Sequence, residues 1–145
     1  MKKIVFAFCI LAFISSANSF AESRGMHDFP QMMKHANPMP NLMKVVKQHE
    51  NELNLSEKQS KALAGWRDSH SKPMHAKVTE IDELEKNIYE ATIAGKDKAE
   101  IMEMASKVLE LRSSIISTKL DCRDNMKSIL SEEQFNKVVS MYKGS

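Results

Sequence analysis

Leu55-Ser56-Glu57-Lys58-Gln59 and Leu130-Ser131-Glu132-Glu133-Gln134 are near-copies of one pentapeptide. Each places a Ser three residues ahead of a Gln. That is the spacing of a capping box, in which the Ser hydroxyl and the Gln side chain each satisfy a backbone N–H at a helix start. In the second copy, Leu130 and Phe135 also occupy the two places of a hydrophobic staple. A third box reads Asp97-Lys98-Ala99-Glu100, just after Gly95, a residue suited to ending the preceding helix. These signals predict helices over 57–94, 98–130 and 132–143.

The first long helix carries Leu63, Trp66, His70, Met74, Val78, Ile81, Leu84, Ile88 and Ala91 at spacings of three and four. The second carries Ile101, Met104, Val108, Leu111, Ile115, Cys122, Met126 and Ile129. Two such stripes joined by a short turn pack against each other. The expected fold class is therefore all-α, an elongated antiparallel helical hairpin of about 50 Å with short flanking helices. Pro73 falls inside the first long helix and is expected to kink or interrupt it near Ser71-Lys72. Ahead of the hairpin, Asn41 caps a short helix over 42–53. Residues 22–40 hold Gly25, Pro30, Pro38 and Pro40 without an apolar period, and read as an extended or disordered arm.

A chain of 145 residues is of single-domain size. Lys2 and Lys3 precede eleven apolar residues, Ile4 to Ile14, and a polar stretch that ends in Ser19-Phe20-Ala21. This is the layout of a secretory signal over 1–21, cleaved after Ala21 or, alternatively, after Ala17. The apolar run is too short to span a bilayer, and no later segment could. The reading implies export to the periplasm without a membrane span, and a helical domain over 41–145. Cleavage removes two lysines and no acid, so the formal +2 becomes 19 basic against 19 acidic residues. Ten of eleven methionines and one cysteine, Cys122, remain. A lone thiol in an oxidising compartment implies an intermolecular bridge, a metal ligand or an inert buried group. The neighbours Lys119 and Arg123 would lower its pKa and make it redox-responsive.

The paired pentapeptides bracketing a long hairpin in an exported chain resemble the Spy/CpxP family of periplasmic stress proteins, which includes zinc-resistance-associated relatives. The family motif is Leu-Thr-x-x-Gln. Here Leu55, Ser56 and Gln59, and Leu130, Ser131 and Gln134, match it with Ser in place of Thr. The resemblance covers about 42–143 and the signal. It implies a homodimer and ATP-independent binding of unfolded or misfolded proteins, or damping of an envelope-stress sensor. Under that implication, Trp66, Met74 and Met126 are candidate client contacts. The neutral mature chain and the composition of its arm depart from the family pattern.

Two groups of soft donors stand out. Met26, His27, Met32, Met33, His35, Met39 and Met43 lie within 18 residues. Thioethers select Cu(I), and imidazole suits copper or zinc, so this arm reads as a metal-capture segment. The competing reading is that Met serves as adaptable apolar filler. The second group needs the hairpin to fold. With a turn centred on Lys96, His70 faces Cys122, and Met74 and Met126 lie one turn away. A thiolate, an imidazole and two thioethers at one level suit a soft metal, although buried Cys, Met and a lone His are more often plain core. The alternative function is thus a copper- or zinc-binding resistance or sensing protein, with Cu(I) or Zn(II) bound but not required. No phosphate loop, nucleophile elbow, His-Glu-x-x-His or haem motif is present, so an enzyme is not expected. The balanced charge argues against a nucleic-acid partner.

Overall fold

The computed structural model describes residues 29–144, with the side chain of Phe29 excepted. The signal segment, its cleavage site, Met26 and His27 lie outside these residues. Five helices follow in order: α1 Phe29–Ala36, α2 Leu42–Gln48, α3 Glu57–Ile93, α4 Lys98–Ile129 and α5 Glu132–Lys143. The described residues contain no strand. α3 and α4 pack against each other as the expected hairpin. At 1.5 Å per residue they run about 55 and 48 Å. None of these helices is long and apolar enough to cross a membrane.

Both pentapeptides form full capping boxes. Ser56 Oγ accepts from Gln59 N at 3.3 Å, and Gln59 Oε1 accepts from Ser56 N at 2.9 Å. The Ser131 and Gln134 pair repeats this at 3.1 and 3.0 Å. The two boxes are also tied to each other. Gln59 Nε2 donates to Gln134 Oε1 at 2.9 Å and to the Ile129 carbonyl at 3.0 Å. Gln134 Nε2 in turn donates to the Leu53 carbonyl at 3.2 Å. Each glutamine therefore caps its own helix with its oxygen and grips the opposite strand of chain with its nitrogen.

The far end of the hairpin closes on Gly95, whose φ of 68° is the left-handed conformation that ends many helices. Lys96 N bonds the Ala91 carbonyl at 3.0 Å and Gly95 N bonds that of Thr92 at 3.2 Å, the paired pattern of a Schellman turn. The bond from Lys77 Nζ to Ser114 Oγ, at 2.7 Å, joins residues equidistant from the Gly95–Lys96 peptide.

Four expectations need correction. Asp97 occupies the N-cap of α4, but its side chain makes no cap hydrogen bond, so the third box is not formed. α3 runs uninterrupted through Pro73. The interruption is thus overturned, and Pro73 lies on the exposed face of the continuous helix. The arm is not wholly extended, since 29–36 form α1. Pro30 lies in the first turn, where its missing N–H costs nothing, and Pro38 follows the last turn. The helix is held by tertiary contact, with Met32, Met33 and Ala36 packed on the hairpin. Finally, α2 ends at Gln48 rather than near 53, and the chain turns through Asn54 (φ 49°).

Two cores result. One gathers Val45, Val46, Leu53, Leu63, Cys122, Met126, Leu130 and Val138 at the base of the hairpin, drawing on α2 to α5. The other holds Ala36, Val78, Ile81, Val108 and Ile115 along its middle, under α1.

The glutamine cross-tie predicts an order of stabilities. Gln134→Ala removes a cap and two links across the base and should lower unfolding stability by about 1–3 kcal/mol. Asp97→Ala should cost under about 1 kcal/mol, the dipole contribution of a carboxylate near a helix start. Urea unfolding of both variants measures this order, and equal losses would contradict it.

Candidate functional site

A cavity of about 240 Å³ opens where α1, α2 and the base half of the hairpin meet. Trp66, His70, Met74 and His75 reach it from α3, Cys122 and Lys119 from α4, Met43 from α2 and Met33 from α1. A smaller cavity of about 40 Å³ adjoins it, lined by Met39, Met43 and Cys122 among others. Cys122 and Met43 line both.

The arm and the hairpin therefore contribute donors to one place. Of the arm and α2 residues, Met33 and Met43 reach the main cavity, and Met39 and Met43 the smaller one. Met32 packs on the middle core instead. His35 is turned away, its Nε2 lying 2.8 Å from Glu85 Oε2 and 3.1 Å from Arg112 Nη2. Of the hairpin residues, His70, Met74 and Cys122 share the cavity, whereas Met126 is fully buried in the base core. Met126 therefore has no surface to offer a client. Trp66 and Met74 are half-buried at the cavity wall.

Several of these side chains are held in fixed orientations. Asn37, itself buried, donates from Nδ2 to the Met33 carbonyl at 2.9 Å and to Met33 Sδ at 3.2 Å. Its Oδ1 accepts from Met39 N at 3.0 Å. One amide thus positions both flanking methionines. The His70 ring stacks on Trp66 with centroids 3.9 Å apart and planes 9° from parallel. His70 Nδ1 lies 2.8 Å from the Trp66 carbonyl oxygen and 2.9 Å from Ser69 Oγ, a placement that suits a proton on Nδ1. In the neutral ring this leaves the lone pair on Nε2.

Cys122 is a free thiol, only 7% exposed. Burial pushes its pKa up, from 9.0 to about 11, while the Lys119 ammonium pulls weakly the other way. The same burial lowers the pKa of Lys119. Arg123 is engaged with Asp124, Nε to Oδ1 at 2.7 Å. The expected activated thiolate is thus overturned: desolvation exceeds the attraction of the neighbouring cations. The described residues contain no group of three or more His, Cys, Asp or Glu arranged to hold a metal ion. Any metal held here would need thioether ligands.

A second surface lies toward the turn. Tyr89 (66% exposed), Ile93 (69%), Met102 (53%) and Leu109 (65%) are large apolar side chains left in solvent. Tyr89 and Ile93 continue by fours from Glu85, while Leu109 sits three residues before Arg112 and seven after Met102. These spacings keep them on the side of the hairpin where Arg112 bonds Glu85 at 2.6 Å. His35 reaches the same ion pair, so α1 covers part of that side and leaves the part near the turn bare. Sequence reading passed over this patch because its members stand outside the core stripes. That they share one side becomes visible only once the two helices are paired.

The chain matches no known family model, no curated protein and no solved structure.

The buried thiol gives a pH dependence of defined sign. Below pH 8 it is protonated whether the chain is folded or not. Between 9.0 and about 11 the unfolded chain releases the proton and the fold retains it, so stability falls as pH rises. Lys119, whose pKa is lowered, acts in the opposite sense over that range. The informative comparison is therefore with Cys122→Ala. The difference in stability between the two chains should shift against the parent from pH 9 to 11 and stay constant below pH 8. Thermal unfolding across that range tests it, and a constant difference throughout would contradict it.

Proposed function

We propose that the chain is an exported, non-enzymatic stress protein of the Spy/CpxP type that holds non-native proteins without ATP. The observation that carries this reading is the exposure of four large apolar side chains, Tyr89, Ile93, Met102 and Leu109, on the side of the hairpin where α1 is docked. Elsewhere the exposed hairpin residues are mostly charged or small. Exposed apolar groups rimmed by charge suit contact with partners that expose apolar segments of their own. Met102 adds an unbranched thioether side chain that adapts to varied shapes.

α1 serves as an internal example of such contact. It is a short amphipathic helix that lays Met32, Met33 and Ala36 on Val78 and Ile81 of the hairpin. A client segment with the same pattern would find the same chemistry further along toward the turn. The two pentapeptides that carry the resemblance act as one device at the hairpin base rather than as two separate caps. A homodimer, periplasmic location and contact with an envelope-stress sensor belong to this proposal through the resemblance.

Residues 22–145 should suppress light scattering by a chemically unfolded protein diluted into buffer without ATP. The triple variant Tyr89→Ser, Ile93→Ser, Leu109→Ser should lose most of that suppression, several-fold at equal concentration. Its thermal midpoint should stay close to the parent's, because all three side chains are exposed. Full suppression by the triple variant would reject the patch as the client surface.

A further inference from the structure

The soft donors of the arm and those of the hairpin, separated in the sequence, share one cavity. We propose that this cavity is a Cu(I) site whose ligands are Cys122 Sγ, His70 Nε2 and Met43 Sδ, with Met33 and Met74 at its mouth as capture thioethers. This rests on side-chain chemistry and placement and is independent of client binding.

The donor set selects the ion. Thiolate, imidazole and thioether together are the ligands of soft monovalent copper, which is satisfied by two to four of them. Zn(II) and harder divalent ions favour carboxylates or a fuller thiolate and imidazole set. No Asp or Glu lines the main cavity, while Lys44, Lys47, Arg67 and Lys119 do. Those cations raise the Coulomb cost of a divalent ion. A single positive charge neutralised by one thiolate escapes most of it.

The orientation of His70 meets a further requirement. A metal-binding imidazole commonly donates its other N–H to a carbonyl, which fixes the tautomer and aims the lone pair. His70 does this with Nδ1 on the Trp66 carbonyl at 2.8 Å. Trp66 stacked against the ring restrains its rotation. Cys122 is more than nine-tenths buried yet lines both cavities, as does Met43. Asn37 fixes the chain between Met33 and Met39 on the arm side.

Binding replaces the S–H bond of Cys122 with S–Cu(I), and one proton leaves to solvent without any change of oxidation state. Because the ligands must shed their protons to bind, affinity should weaken as the pH falls.

Trp66 supplies the readout as the single tryptophan of the chain. The full chain, purified as expressed and kept reduced without oxygen, is titrated with Cu(I) against a chromophoric Cu(I) chelator. Ag(I) serves as a redox-inert second probe. One equivalent of either ion should bind and quench Trp66 emission, and Zn(II) should bind at least a hundredfold more weakly. Cys122→Ser and His70→Gln should each weaken Cu(I) by tenfold or more. Met43→Leu, which conserves volume, should weaken it while leaving helix content and thermal midpoint unchanged. The proposal is overturned if no tight Cu(I) equivalent is found, or if Zn(II) binds as well. It is also overturned if binding survives all three substitutions, which would place any copper on other donors such as Met26 and His27. Aggregation suppression measured in parallel separates this outcome from failure of the client-binding reading.

Discussion

The amide pair Gln59–Gln134 is the constraint on which the hairpin depends. Its 2.9 Å bond joins the starts of α3 and α5, and each glutamine also bonds main chain across the base. A helix pair nearly 50 Å long is held by apolar stripes that tolerate sliding by a turn. A bond between two fixed caps does not tolerate it. With the base pinned and the Gly95 turn closing the other end, the register of every side chain between them follows. Cys122 is thereby brought to the cavity that His70 lines, and Arg112 to Glu85.

Much of this architecture was legible in residue order. Ser–x–x–Gln spacing marked two helix starts because a cap is a local device, decided within four residues. Gly95 marked a stop for the same reason. The failures share a cause too. α1 has Pro30 in its first turn, Pro38 just past its end and little helical length of its own, and it forms because Met32, Met33 and Ala36 find an apolar wall far away in sequence. Asp97 has the right composition for a cap, but its side chain does not turn back onto the helix. The mutual grip of the glutamines lay beyond any local pattern, since each box is complete by itself.

The candidate site divides in the same way. The donor types were visible, and the pairing of His70 with Cys122 followed from hairpin geometry. That the arm delivers Met33 and Met43 to the same cavity depends on how α1 and α2 dock. The state of Cys122 was misjudged because flanking cations are visible in sequence and depth of burial is not. In the fold, removal from water outweighs Lys119, and Arg123 is occupied by Asp124.

The base core has a consequence for how the chain is made. It joins Val45, Val46 and Leu53, near the beginning, to Leu130 and Val138, near the end. A polypeptide emerges N-terminus first, whether from a ribosome or through a membrane channel. Its early apolar residues therefore wait unpaired until almost the last residue has appeared. Contacts of such long sequence separation are slow to form. For most proteins that delay is a hazard. Were the chain exported as proposed, the same delay would keep the polymer threadable until its whole length was on the far side.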